Sequence, residues 1–406
     1  MTTVLNDQGR TTAPHPPTSG EQLRLARRLY DDVSERVARH PSYTLWLDHA
    51  LLGLEFRAAL GADAGIADPQ ASFGEAMAAL GRESDVGPWL YRGAAQAGWT
   101  AIQLAHSRGR AAPDLRGIDA CVLAWLDDYP DGCDIDLPRG VIGLGVYALA
   151  HPDPVARERL VAGVLSVIET RAETDAHGLF VRMADSPERA AEGSAGCRII
   201  GVAHGGAGLV SFLASAVITC PAVRERARPL LDEALRWLLA QRSDVGHTVF
   251  PHRVELRYSP SRATWCSGDP GIALALGVAA TATGSAEAAA MARHVGLAVL
   301  ARTDAECGVV DATICHGAAG LTWFGERMAR DLGLAGAESF AQHWSAWVED
   351  HRAEDHLRYF SPWGMIRDAS LLEGDAGAAL VLLQAATGAA PRWEELLLAT
   401  PVGLRR

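Results

Sequence analysis

Four side chains able to hold a metal or move a proton stand just before glycines in the second half of this chain. His204 precedes Gly205 in AHGGAG, Cys266 lies two residues before Gly268 in WCSGDPG, and Cys315-His316 runs into Gly317 in CHGAAG. Cys266, Cys315 and His316 form a Cys2His set, a kind that holds zinc in a tetrahedron with one position open for catalysis. Neighbours such as Cys315 and His316 would point about 100° apart on a regular helix. They converge on one ion only in a loop or at a helix start. Taken singly the signals are ordinary: a lone cysteine is commonly a small buried hydrophobe, and a histidine before glycine a cap or a core residue. What sets them apart is that they occupy equivalent places in three consecutive copies of one pattern.

That pattern is a glycine, two residues, a second glycine, then an apolar helical run. It recurs as RGVIGLGVYALA (Gly140, Gly143), HGGAGLVSFLA (Gly205, Gly208), SGDPGIALAL (Gly268, Gly271), HGAAGLTWF (Gly317, Gly320) and EGDAGAALVLL (Gly374, Gly377). Degenerate copies near Gly53 (HALLGLEFRAAL) and Gly98 (GAAQAGWTAIQL) bring the set to about seven, each long enough for a helical hairpin with its loops. The first glycine is expected to use positive φ at a loop-to-helix turn, and the second to allow close packing. Spaced small residues also serve packing alone. If the units close into a ring, the helix N-termini face one end, each with about half a positive charge, and favour anions there.

The elements around these motifs are helical in character. The chain has 406 residues, 49% of them apolar and only 6% aromatic. Ala, Leu and Gly abound, which favours closely packed helices over β-sandwiches. Lysine is absent, and the formal net charge of −12 argues against a nucleic-acid partner. No run of 18 apolar residues marks a membrane span, and no apolar signal segment opens the chain. Seven cysteines, an odd number, suggest reduced thiols and a cytoplasmic setting. Residues 1–20 read as a disordered tail, with helix from Glu21 onward. Segments 175–198 and 245–262 are less helical, and VFPHRVELRY reads as a short strand or extended loop. Both precede a glycine unit and can fold over the ring mouth. His247 and His252 read as surface residues, Trp265 as packing.

AHGGAG, WCSGDPG and CHGAAG, in this order on a glycine-repeat helical background, resemble the lanthionine synthetase C-like family over about residues 40–385. The resemblance implies an all-α fold, an α/α toroid of seven inner and seven outer helices over residues 21–406, with room for a small β-containing extension. It implies a zinc-dependent cyclase that adds cysteine thiols to dehydroalanine or dehydrobutyrine, forming lanthionine and methyllanthionine rings in a ribosomal precursor peptide. Carried over residue by residue, the family's zinc ligands fall on Cys266, Cys315 and His316, and its catalytic histidine on His204. Its catalytic aspartate falls on Asp136 in DLPRG and its arginine on Arg262. Asp136 also suits a helix cap, and Arg262 an ion pair. Ser267 departs from the family, where a tyrosine commonly follows the zinc cysteine. The implied partners are a dehydrated precursor peptide and a separate dehydratase, since no kinase or lyase motif is present. A membrane-associated biosynthetic complex is a further option. Three other readings stay open: addition of a small glutathione-like thiol, a non-catalytic zinc-stabilised peptide-binding scaffold, and an α/α-barrel glycosidase. The last needs paired carboxylates, for which Asp136, Asp269 and Asp375 are available.

Overall fold

A helix that is apolar on every side has to be buried on every side. The computed structural model describes residues 18–83, 86–111, 113–352, 356–361 and 364–404, and within it seven largely buried helices, some of them apolar all round, stand side by side in a ring. They are α2 (Tyr43–Leu60), α4 (Ala94–Ser107), α6 (Val141–Ala150), α8 (Gly206–Thr219), α10 (Asp269–Thr283), α12 (Ala318–Leu332) and α14 (Asp375–Thr387). All ten residues of α6 are buried. An outer layer alternates with them along the chain: α1 (Ser19–Arg39), α3 (Pro69–Leu80), α5 (Arg116–Asp127), α7 (Pro154–Arg171), α9 (Arg224–Ala240), α11 (Ala286–Leu300) and α13 (Ala337–Asp350). Outer helices such as α1 bury one stripe, here Leu25, Ala26, Leu29, Val33 and Val37. Most outer helices pack on the inner helix next to them in sequence, while α1 packs on α14 and clasps the first unit to the last. This is the α/α toroid that the resemblance implied. No single helix among the described residues is long and apolar enough to cross a membrane.

The tail was expected to run to residue 20. Residues 1–17 lie outside the described residues, while Thr18 already caps α1. Its hydroxyl accepts from Glu21 N, and the Glu21 carboxylate accepts from Thr18 N at 2.7 Å, two helix-end donors satisfied reciprocally.

Each inner helix from α4 onward begins on a glycine (Gly93, Gly140, Gly205, Gly268, Gly317, Gly374) with extended backbone, φ between −117 and −155°. The expected positive φ is absent. Closeness is the reason for glycine: a Cβ on Gly205 would overlap the Ile199 carbonyl oxygen, and one on Gly271 that of Trp265. The degenerate copies differ, because Gly53 and Gly98 lie inside α2 and α4.

This crowding lets the turns before the inner helices be stitched to one another. Leu137 N donates to Ala203 O (2.9 Å), Ala203 N to Cys266 O (2.9 Å), Trp265 N to Cys315 O (3.1 Å) and Cys315 N to Leu372 O (3.2 Å). The first unit lacks a glycine turn, and the Asp48 carboxylate of α2 serves in its place, accepting from Leu371 N at 3.0 Å. The axis is filled by residues 393–402. Leu397 O accepts from Trp265 Nε1 (3.0 Å), Glu394 from Trp323 Nε1 (2.9 Å), Glu395 from Trp99 Nε1 (3.1 Å) and Ala399 O from Arg327 (2.7 Å).

The less helical segments do pair with each other. Ile199 and Arg253 form an antiparallel bridge, and Ile200 N donates to His252 O at 3.1 Å. A hairpin of β1 (Glu173–Asp175) and β2 (Gly178–Phe180) packs outward on α9, with Phe180 stacked on Trp237 at 5.5 Å. A second hairpin, β3 (Tyr359–Ser361) and β4 (Gly364–Ile366), precedes α14 and had no counterpart in the sequence reading.

Candidate metal centre and its acid–base pair

Because consecutive turns are hydrogen-bonded neighbours, residues at equivalent places in consecutive units become neighbours in space. Cys266 and Cys315 sit on adjoining turns, and one donor atom from each of Cys266, Cys315 and His316 falls within 4.8 Å of the other two. Among the described residues this is the one group of three Cys, His, Asp or Glu side chains with such spacing. Soft sulfur beside imidazole suits zinc, whose bonds to S and N are about 2.0–2.3 Å long. Cys315 is buried and Cys266 partly so.

The charges agree with a ligand set. Cys266 is held well below the usual thiol value, first by the hydrogen bond from Cys315, against burial, and then by His316. Cys315 is pushed the other way by the same bond and by its own burial. Burial pulls His316 down, but Asp311 and the Cys266 thiolate outweigh it and raise the ring to about 9. Asp311 stands behind His316, its Oδ2 3.5 Å from Nε2, with its side chain fully enclosed. Its Oδ1 accepts from Thr313 N at 3.0 Å and from the Thr313 hydroxyl at 2.9 Å, and that hydroxyl in turn accepts from His316 N at 3.2 Å. A carboxylate behind a ligand histidine fixes ring orientation and raises its basicity.

On the next turn His204 keeps its side chain 35% exposed, while Asp136 beneath it is 1% exposed. His204 Nδ1 and Asp136 Oδ2 are 2.7 Å apart. Burial lowers the His204 pKa, but the bond and charge of Asp136, helped by Cys266, leave it above the ordinary histidine value. Asp136 also makes the local turn expected of a capping aspartate, accepting from Arg139 N at 2.9 Å. Arg189 donates to its Oδ2 at 3.2 Å.

Arg262 lies beside the cluster but is turned to the backbone. Its Nε donates to Gly308 O at 2.8 Å, and its Nη2 lies 3.4 Å from His316 O. Ser267 Oγ is 3.7 Å from Cys266 Sγ. Trp265 is buried and packs, as expected. His252 has an exposed edge, but its surroundings partly desolvate the ring and it feels both Cys266 and His204. It is exposed, as the surface reading had it, and lies close enough to the mouth to feel those groups. His247 Nδ1 lies 3.9 Å from Glu306, away from these groups. The carboxylates needed by the glycosidase reading are spent elsewhere. Asp269 is sealed against Arg302 and accepts from Val249 N and Phe250 N at 2.9 Å, while Asp375 accepts from Tyr359 OH at 2.7 Å.

Asp311 and Arg189 were missed in the sequence. Asp311 had a signal: it stands six residues before Gly317, as Asp134 stands before Gly140, Arg262 before Gly268 and Asp368 before Gly374. Arg189 comes from a short helix, Pro187–Ala191, in the segment before α8 and had none.

The fold and cluster define a class. The family model for lanthionine synthetase C-like protein matches residues 115–398, and the chain belongs to that family. Among solved structures it is similar to one described as nisin cyclase, with a TM-score of 0.72 at 17% identity, covering 94% of this chain and 99% of that one. No curated protein sequence gives a match.

Proposed function

We propose that this protein is a zinc-dependent peptide cyclase that adds cysteine thiols to dehydroalanine or dehydrobutyrine residues of a dehydrated precursor peptide. The observation that carries the reading is the Cys266–Cys315–His316 cluster with the His204–Asp136 pair on the adjoining turn. Family membership and the likeness to a nisin cyclase support it.

Zinc held by the three ligands would act as a Lewis acid toward the incoming thiol. Lowering a thiol pKa of about 8.5 by about 2 units raises the thiolate fraction roughly 25-fold and costs about 8-fold in nucleophilicity, a net gain of only about 3-fold. The protein's own side chains therefore carry most of the work, through placement and proton handling. In the reaction the S–Cβ bond forms, the double-bond pair moves onto Cα and its carbonyl, the thiol proton leaves and a proton arrives at Cα. His204, fixed through Nδ1 by Asp136, leaves Nε2 for that delivery. Its raised pKa keeps the acid form populated further into the neutral range. Arg262, beside the cluster, and the inner-helix N-termini would favour the developing enolate charge. The dehydro residues would come from a separate dehydratase.

The test starts with metal content of the purified chain beside Cys315→Ala: about one zinc per chain is expected, lost in the variant. The wild type is then given a dehydrated peptide and its remaining thiols are alkylated. Ring closure leaves peptide mass unchanged but removes alkylatable thiols. A product heavier by one glutathione, when glutathione is supplied, would assign the small-thiol activity instead. A zinc-bound protein that binds peptide and consumes no thiol would be the scaffold.

A further inference from the structure

Apolar side chains left on the surface are not spread evenly. Among the described residues nine large hydrophobics are exposed, and four of them (Val310, Phe360, Met365, Ile366) lie on two stretches that meet beside His316. Such clustering marks an interaction site, where scattered single residues would not. In β3 the outer residues Tyr359 and Ser361 are buried while Phe360 between them is 60% exposed. Met365 lies directly opposite Phe360 on β4 and is 47% exposed. Residues paired in this way project from the same face, and a solvated face of a hairpin ordinarily carries polar side chains.

The hairpin is anchored to the metal centre. Phe360 N donates to Asp311 Oδ2 at 3.2 Å, and that oxygen lies 3.5 Å from His316 Nε2, so Phe360 N is within about 7 Å of the ligand ring. Val310 is the residue before Asp311 and 47% exposed. An extended chain advances about 3.3–3.6 Å per residue. A peptide whose cysteine sits at the cluster therefore has the reach to lay a residue one or two places away near Phe360.

We propose that Phe360, Met365 and Val310 form a platform that binds the apolar side chain lying one or two residues from the reacting cysteine of a peptide substrate. The proposal rests on the cyclase reading and deepens it: the platform selects which cysteine is presented, and the cluster does the chemistry. A partner of this kind is fitted by the closeness of the apolar face to the metal centre, since Asp311 holds both Phe360 N and the His316 ring.

The experiment uses the full-length, zinc-loaded chain and a fluorescein-labelled peptide with one cysteine, a leucine two residues away and no dehydro residue. Binding is then read by anisotropy without turnover, so a failure of the cyclase reading is detected separately in the thiol-alkylation assay. The expected result is a Kd raised about tenfold or more in the Phe360→Ala/Met365→Ala double variant, the range that losing burial of a leucine side chain produces. A peptide with serine in place of the leucine should bind both proteins equally weakly. Phe360→Leu should recover most of the affinity, and zinc content should not change. Equal affinity of wild type and double variant for the leucine peptide overturns the proposal. So does a wild-type dimer that the double variant dissolves, which would give the face to a second copy of the chain.

Discussion

The two ends of the inner helices use glycine for opposite reasons. At the mouth, Gly205 and Gly271 leave no room for a Cβ, because the carbonyl of the residue six places earlier, Ile199 or Trp265, occupies that space as the turn folds back on the helix start. At the far end, Gly284, Gly333 and Gly388 close α10, α12 and α14 at φ of 71, 57 and 66°, with nothing within 4 Å of a would-be Cβ. There glycine serves handedness alone. The far end also holds a cavity of about 730 Å³, lined by residues such as Arg110, Arg157, Pro152 and Pro391. The cysteines, His316 and the His204–Asp136 pair gather at the crowded end, away from that cavity. Room is therefore a poor guide to chemistry in this fold, and backbone crowding a good one.

That contrast can be sharpened by substitutions, from the largest expected effect down. His204→Ala should lower the cyclisation rate by about 10²–10⁴-fold with zinc retained; a wild-type rate would remove His204 from proton transfer. Since its folded pKa is raised, the wild-type rate should fall as pH climbs through that value, and the fall should vanish in the variant. Gly271→Ala should cost about 3 kcal/mol by forcing the Trp265 carbonyl away, and should weaken zinc binding as well, since Cys266 follows Trp265. Asp311→Asn should weaken zinc affinity about 10–100-fold in a chelator competition. Gly284→Ala should cost only about 1–2 kcal/mol and leave zinc content intact. Zinc loss there would mean that the two ends are coupled and would break the comparison. A separate, pH-dependent effect concerns Asp48, whose burial raises its carboxyl to about 7 from 3.8. A carboxyl with a raised folded pKa contributes stability at low pH that is lost as pH rises between those values. Urea midpoints of Asp48→Asn should therefore decline less steeply than wild type between about pH 4 and 7.

The ring and the candidate metal cluster were legible because both are written in the repeat. The copies from Gly140 to Gly374 gave the inner helices, and Cys266, Cys315, His316 and His204 were visible as deviations at fixed places within them. The weak copy at Gly53 misled, because α2 starts from Ser42 and needs no tight turn. The first glycine's role was misread because sequence shows small residues but not what presses against them. Asp136 was legible only through the family resemblance. Arg189, the β3–β4 hairpin and the axial segment 393–402 come from outside the repeat, and only the folded ring brings them to it. Arg262 was placed in the right neighbourhood, yet its guanidinium braces Gly308 and His316 carbonyls in a way no spacing could announce.

The segment that fills the axis has a consequence in time. Trp265, next to the ligand Cys266, rests on the carbonyl of Leu397, which is translated roughly 130 residues later; at about 5–20 residues per second that is a delay on the order of ten seconds. During that interval the thiols of Cys266 and Cys315 belong to an open arc of helices with no floor beneath the turn that carries Cys266. The nascent chain thus makes the Cys266 and Cys315 thiols well before it makes the segment that supports the turn carrying Cys266.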